Sequence, residues 1–85
     1  MEYSVGLSTI GRRDLANLDR SVAPRLEGAL RALAHDPRPH GCLKLSGERD
    51  QYRIRVGQYR IVYAIEDSER RVLVRRIQHR REVYR

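Results

Sequence analysis

The sequence has no tryptophan and no phenylalanine, and Met1 is its single methionine. Leucine, isoleucine and valine must therefore supply most of the core of this 85-residue chain, which is long enough for one small domain over residues 1–85. Cys42 is the one cysteine, which excludes an internal disulfide. No apolar run approaches the length that spans a membrane, and we see no signal-peptide pattern. We expect a soluble, cytoplasmic protein without membrane contacts.

Several common chemical motifs are also missing. The sequence has neither a glycine-rich phosphate-binding loop nor a serine nucleophile elbow. His35, His40 and Cys42 share one loop, but their spacing matches no metal-binding motif. The sequence therefore predicts no metal site and no cofactor.

Positive charge is what the chain has in excess. Its formal net charge is +7, and arginine supplies all the basic residues except Lys44. Residues 1–47 carry 7 basic and 5 acidic side chains, a net of +2, whereas residues 48–85 carry 11 and 6, a net of +5. Guanidinium groups bind phosphates in a bidentate way that ammonium groups cannot match. This pattern favours a polyanion or an acidic protein as partner; a merely solvated basic surface is the alternative.

The hydrophobic pattern predicts an α+β fold with the order βααβββ. Alternation over residues 2–7 predicts a strand, Ser8 or Thr9 can cap a helix over about 9–19, and Ser21 can cap a second helix that ends near His35. We expect Gly28 to sit in that helix for close packing. Two strands over residues 52–65 and a last one over 71–77 follow. These three strands should form an antiparallel sheet, with the two helices as a hairpin on one face.

The most informative stretch is "YRIRVGQYRIVYAI", residues 52–65. Gly57-Gln58 suits a two-residue type II′ turn, which fixes the register of the hairpin. In that register Arg55 faces Arg60, and both lie with Arg53 on the face opposite Tyr52, Ile54, Val56, Tyr59, Ile61 and Tyr63. Like charges placed directly opposite each other are unfavourable. The pair suggests that an anion binds between the arginines; arginines splayed into solvent are the alternative.

The tail "QHRREVYR" supplies a second cluster of polar residues, which contains His79, Arg80 and Tyr84. If the last strand lies beside the hairpin, we expect His79 and Arg80 to reach the arginine face. Imidazole is the side chain that best suits proton transfer near neutral pH. A tyrosine can stack on a nucleobase.

Four segments, "DLANLD", "LKLSG", "YRIRVGQYRIVYAI" and "HRREVY", resemble the RelE/ParE toxin superfamily of bacterial toxin–antitoxin modules. The resemblance covers nearly the whole chain and implies the same βααβββ fold. RelE-type members are ribosome-dependent endoribonucleases that cut mRNA without a metal, whereas ParE-type members inhibit DNA gyrase. The triple-arginine hairpin and "HRREVY" favour the RelE-type activity. A degenerate toxin that only pairs with its antitoxin is the third possibility.

The resemblance also implies the site. Arg53 and Arg55 correspond to basic residues of the first hairpin strand, and Arg60 to the arginine of the next strand. Arg80 corresponds to the basic residue of the tail and Tyr84 to the terminal tyrosine. Some RelE-type members carry lysines at the first two positions, and a lysine can act as a base where an arginine cannot.

The predicted catalytic set is therefore Arg53, Arg55, Arg60, His79, Arg80 and Tyr84, with His79 as the proton carrier. The expected partners are mRNA on the ribosome and a RelB-like antitoxin that wraps the basic surface. Operator DNA would be contacted only through the antitoxin.

Overall fold

The computed structural model describes residues 2–45, 47 and 50–83, with the backbone alone at residue 83. Within them the chain forms the following helices and strands: β1 (Ser4–Leu7), α1 (Thr9–Ala16), α2 (Ala23–His35), β2 (Leu43–Lys44), β3 (Gln51–Val56), β4 (Tyr59–Glu66), β5 (Arg71–His79) and α3 (Arg80–Val83). None of the helices in these ranges is long and apolar enough to cross a membrane.

The strands form one five-stranded sheet in the order β1-β5-β4-β3-β2. The predicted α+β fold and βααβββ order are confirmed, and β3, β4 and β5 are antiparallel as expected. The sheet as a whole is mixed because β1 joins its edge parallel to β5. The short elements β2 and α3 lie in segments that the sequence pattern placed in a loop and in the tail.

The core lies between α2 and one face of the sheet. The apolar stripe of α2 places Leu26, Leu30 and Leu33 in it, at 8 % exposure or less. From the sheet come Tyr52, Ile54, Ile61, Tyr63, Ile65, Val72, Val74 and Ile77. The helical period of α2 and the two-residue period of the hairpin therefore bury the side chains that the sequence predicts.

Helix α1 lies along β5 beyond the point where β1 ends. Ser8 is its N-cap, since the Ser8 Oγ accepts a hydrogen bond from the Gly11 N–H at 3.0 Å. The carboxylate of Asp14 accepts the backbone N–H of Ile77 at 2.9 Å and so occupies the edge of β5. A Cβ on Gly11 would lie only 2.5 Å from the carbonyl oxygen of Val74. This close approach is why α1 needs a glycine there.

Three local predictions for the helices were wrong. Helix α1 ends at Ala16, before the expected residue 19, and turns connect it to α2. The N-cap of α2 is Val22, not Ser21, and it makes no side-chain cap hydrogen bond. Gly28 is not closely packed, because a Cβ there would meet only the Arg31 Nη2, at 3.8 Å.

A β-bulge in β5 decides which side chains of this strand face the helices. Val62 pairs with Arg76, but its neighbour Tyr63 pairs with Val74, which leaves Arg75 without a directly opposed residue. Val74 and Ile77 therefore both face the core although they are three positions apart. The bulge accounts for the mixed alternation of the sequence over this strand, and it sets the direction of every side chain from Arg76 to His79.

The end of the sheet opposite the hairpin turn is held by a polar cluster around Asp67. Its carboxylate accepts two hydrogen bonds from Arg38, at 3.1 and 2.8 Å, and one from the Tyr3 hydroxyl at 2.6 Å. These hydrogen bonds, from Arg38 above all, lower the pKa of Asp67 to about 2. The buried Tyr63 hydroxyl donates to the Pro37 carbonyl at 2.8 Å, and burial raises the pKa of Tyr63. This cluster fixes the loop after α2 to the sheet.

Candidate functional site

The turn of the β3–β4 hairpin positions the predicted arginines. Gly57 has a φ of +59°, while the described non-glycine residues with positive φ are Asp50 and Arg70. Gln58 therefore has a negative φ. A type II′ turn requires this combination, with a positive φ only at its first central residue. The resulting register places Arg53 opposite Val62 and Arg55 opposite Arg60, as predicted.

Arg53, Arg55 and Arg60 lie on the sheet face that the helices leave uncovered; we call this the arginine face. Arg55 is exposed, and Arg53 and Arg60 are half-buried. Arg38–Asp67, Glu66–Arg71 and Asp14–Arg76 form ion pairs elsewhere in the described residues, and the Glu2 carboxylate lies 2.7 Å from the His35 Nδ1. The three arginines therefore have no acidic partner in the part of the chain that the structure describes.

Arg60 has a further unusual feature. Its Nε atom is buried and has no hydrogen-bond partner among the described residues. A buried donor without an acceptor costs about 1–3 kcal/mol. A ligand does not reach this buried nitrogen in the present conformation. The charges of Arg55 and Arg60, which have no acidic partner among the described residues, are what make the row suited to an anion.

Arg80 is brought to the hairpin turn. Its backbone N–H donates to the Gln58 carbonyl at 2.7 Å, and its Nη1 lies 3.4 Å from the Gln58 Oε1. Arg80 is exposed, at the start of α3. It therefore lies at the end of the sheet where Arg55 and Arg60 also lie. Tyr84 falls outside the described residues.

The structure does not place His79 on the arginine face, contrary to the expected position. The register of β5 pairs His79 with Tyr59, whose side chain packs against the core on the helix-covered side. The two rings meet edge to face with their centres 5.0 Å apart. The cause is the β-bulge at Arg75, which sends Ile77 and His79 toward the helices and Gln78 toward the arginines.

Comparison with known proteins identifies the family. A family model described as the ParE toxin of the type II toxin–antitoxin system parDE matches residues 8–84. The chain belongs to this toxin family. It is 34 % identical to the toxin RelG of Mycobacterium tuberculosis over 86 aligned positions, which cover 100 % of this chain and 99 % of RelG. The resemblance to the RelE/ParE superfamily is thereby confirmed.

Solved structures of RelE toxins share the fold. The archaeal RelE–RelB complex from Pyrococcus horikoshii aligns with a TM-score of 0.81 at 25 % identity, over 94 % of this chain and 97 % of the matched chain. The isolated RelE toxin of E. coli aligns with a TM-score of 0.80 at 28 % identity, over 96 % and 90 %. This toxin therefore has the RelE fold over nearly its whole length.

The structure adds Gln78 to the arginine face of this toxin. Gln78 pairs directly with Arg60, which in turn pairs with Arg55, so that an amide and two guanidiniums form one row across three strands. Arg76 lies in the next row, with Val62 and Arg53, but its Nε is 2.9 Å from the Asp14 carboxylate, which neutralises its charge. The sequence holds no local signal for Gln78, because the bulge that turns it to this face arises from pairing with β4.

Proposed function

We propose that this toxin is a ribosome-dependent endoribonuclease that cuts mRNA without a metal and thereby inhibits translation. The observation that carries the proposal is the Arg55–Arg60 pair, two directly opposed guanidiniums that have no acidic partner among the described residues. The relatives that bear RelE names support this activity, whereas the matched family model bears the ParE name. Gyrase inhibition, the activity expected of ParE-type members, is the alternative.

Cleavage of RNA without a metal requires three steps. The 2′-hydroxyl must lose a proton and attack the adjacent phosphorus, the additional negative charge must be stabilised, and the leaving 5′-oxygen must gain a proton. Arg53, Arg55 and Arg60, with Arg80 at the hairpin turn, provide guanidinium donors for the phosphate oxygens. Donors already in place where charge develops are a large source of catalysis. The proposal therefore assigns most of the rate effect to charge stabilisation.

The proton steps need other groups. Arginine cannot be deprotonated in proteins. The other described side chains in the rows of Arg55 and of Arg53 are Gln78, Val62 and Leu43. The amide of Gln78 is a poor base, and Val62 and Leu43 have no basic atom. His79, the proton carrier expected from the sequence, projects to the other side of the sheet. We therefore propose that water takes the proton of the 2′-hydroxyl and supplies one to the leaving 5′-oxygen, while the arginines stabilise the charge on the phosphate. Tyr84 keeps its proposed role of stacking on the nucleotide.

An antitoxin is the second proposed partner. The Pyrococcus horikoshii relative was solved as a RelE–RelB complex. We infer that a RelB-like antitoxin binds this toxin through a segment that folds on binding and places acidic residues over the arginine face. Contact with operator DNA would be indirect, through the antitoxin, and the site of action would be the cytoplasm, where ribosomes translate mRNA.

The test is the Arg60→Ala variant, assayed for cleavage of mRNA on added ribosomes by mapping new 5′ ends. Removal of one transition-state donor lowers rates by about 10²–10³-fold, so cleavage should nearly disappear while circular dichroism reports an intact fold. Arg71→Ala is the matched control, because Arg71 is exposed and paired with Glu66 at 3.0 Å. Full cleavage by a folded Arg60→Ala protein would contradict the proposal.

A parallel assay of DNA gyrase supercoiling separates the alternatives. Inhibition of gyrase with no effect on translation would assign the ParE-type activity. Antitoxin binding with neither inhibition would identify a degenerate toxin.

A further inference from the structure

A hollow of about 290 Å³ lies beside the hairpin turn, on the opposite side of the sheet from the arginine face. It is lined by Tyr59, His79, Arg81 and Glu82. The aromatic rings of Tyr59 and His79 meet edge to face, which leaves ring faces outside the contact between them. This volume is at the small end of the range for ligand sites and suits a single planar ring better than a larger ligand.

The polar groups of the hollow suit a nucleobase. The His79 Nδ1 accepts the backbone N–H of Arg81 at 3.1 Å, so the neutral ring carries its proton on Nε2 and can donate from there. The Glu82 carboxylate accepts the backbone N–H of His79 at 3.2 Å and keeps lone pairs for an exocyclic amino group. The carboxylate disfavours a phosphate in the hollow itself. Aromatic and imidazole faces are the surfaces on which proteins stack unpaired RNA bases.

A basic path connects this hollow to the arginine face. Arg55 on β3 and Arg60 on β4 are the arginines of the hairpin nearest to the turn, and the backbone N–H of Arg80 donates to the Gln58 carbonyl in the turn. Arg81 then lines the hollow itself. Neither Arg80 nor Arg81 has an acidic partner among the described residues, so each can meet a phosphate.

The helix side of the turn carries one more cation. The guanidinium of Arg25 lies against Gly57, with Nη1 3.2 Å from the position of a Cβ on this glycine. Arg25 makes no ion pair with the acidic residues that the structure describes. A phosphate chain that passes around the turn would thus meet guanidinium groups on both sides of the sheet.

We propose that the hollow of Tyr59, His79 and Arg81 binds the base of a nucleotide in the same mRNA strand, next to the nucleotide whose phosphate lies on the arginine face. The inference rests on the proposed function. It assigns His79 to binding of the RNA strand on the helix side of the sheet, where the β-bulge has placed it.

The experiment uses ribosomes programmed with mRNA that carries a 2′-deoxy nucleotide at the cleavage step, which prevents cutting. A series of these mRNAs has one abasic nucleotide at each position around that step. Stacking of one base contributes about 1–3 kcal/mol, so we expect an abasic nucleotide at one position to weaken binding of the wild-type toxin about tenfold. The His79→Asn protein should bind the intact and abasic mRNAs equally, because it lacks the stacking ring.

Asparagine at position 79 keeps an acceptor for the Arg81 N–H, which protects the local fold. Tyr59→Leu is the second variant; it removes the other ring, retains apolar packing and should show the same insensitivity. His35→Asn is the matched control, because His35 lies at the end of α2 and pairs with Glu2 at 2.7 Å. It should retain the abasic effect of the wild type.

Three results would overturn the inference. In the first, no abasic nucleotide weakens binding of the wild-type toxin to the programmed ribosomes. In the second, binding of the folded His79→Asn protein is weakened by an abasic nucleotide as much as that of the wild type. In the third, His79→Asn lowers the cleavage rate at saturating toxin while its affinity for the programmed ribosomes is unchanged. The last result would return His79 to proton transfer. Failure of the proposed function is read separately, as absence of cleavage of unmodified mRNA by the wild-type toxin on the same ribosomes.

Discussion

Arg55 and Arg60 lie directly opposite each other across the β3–β4 pair, without an acidic partner among the described residues. A like-charge pair at opposed positions of two strands is destabilising, by tenths of a kcal/mol up to about 1 kcal/mol. We therefore expect Arg55→Gln to raise the free energy of unfolding by that amount and to lower mRNA cleavage. Urea denaturation and the ribosome assay measure the two effects.

Arg53→Gln is the matched control for the predicted gain in the free energy of unfolding. Arg53 lies on the same strand and face, but its opposed residue is Val62. The substitution should bring no comparable gain in stability. Equal stabilisation by both variants would show that overall positive charge, and not the opposed pair, carries the cost.

The two helical glycines should respond to alanine with opposite signs. Alanine at Gly28 gains helix propensity of about 0.5–1 kcal/mol, and its Cβ meets only an ordinary contact at 3.8 Å from Arg31. Alanine at Gly11 would place its Cβ 2.5 Å from the Val74 carbonyl oxygen, so α1 must move away from β5. Thermal unfolding should show a higher Tm for Gly28→Ala and a lower Tm for Gly11→Ala. An unchanged Tm for Gly11→Ala would contradict the close approach.

Asp14 should stabilise the edge of β5 beyond the residues that pair with β1. Its carboxylate accepts both the Ile77 backbone N–H and the Arg76 Nε, each at 2.9 Å. In Asp14→Ala the Ile77 N–H loses its acceptor, which costs about 1–3 kcal/mol. Asp14→Asn keeps an oxygen acceptor and should lose less. Hydrogen exchange at Ile77 measures the effect locally; equal protection in the wild type and the alanine variant would contradict it.

The hairpin and the stripe of α2 were predictable because their information is local. Gly57-Gln58 fixes a two-residue turn, and the turn fixes every pair from Val56–Tyr59 to Tyr52–Tyr63. The apolar positions of α2 repeat with the helical period, so Leu26, Leu30 and Leu33 follow without knowledge of the rest of the fold.

The direction of His79 was not predictable, because it depends on pairing between strands. One residue added to β5 at the bulge reverses which face the following side chains occupy. The sequence shows the bulge only as an irregular alternation around Arg75 and does not locate it. The three arginines of the hairpin were therefore placed correctly, while His79 was not and Gln78 was missed.

Asp67 should make the stability of this toxin depend on acid pH. Its pKa is about 2 in the folded chain, below the usual value near 3.9 of an unfolded aspartate, because Arg38 and Tyr3 donate hydrogen bonds to the ionised form. A depressed folded pKa stabilises the fold fully above the unfolded pKa, and this contribution disappears as the pH falls from about 4 through 2. The wild-type Tm should therefore fall over that interval.

In Asp67→Asn the Tm should be lower than that of the wild type at pH 6, and the two values should converge as the pH approaches 2. Tyr3→Phe removes one of the three donated hydrogen bonds and should give an intermediate result, whereas Arg38→Gln removes the largest cause of the shift and should nearly match Asp67→Asn. Because Asp67 is exposed, high salt should weaken the effect in the wild type. A constant difference in Tm from pH 6 to pH 2 would show that the asparagine acts through packing and not through the lost charge.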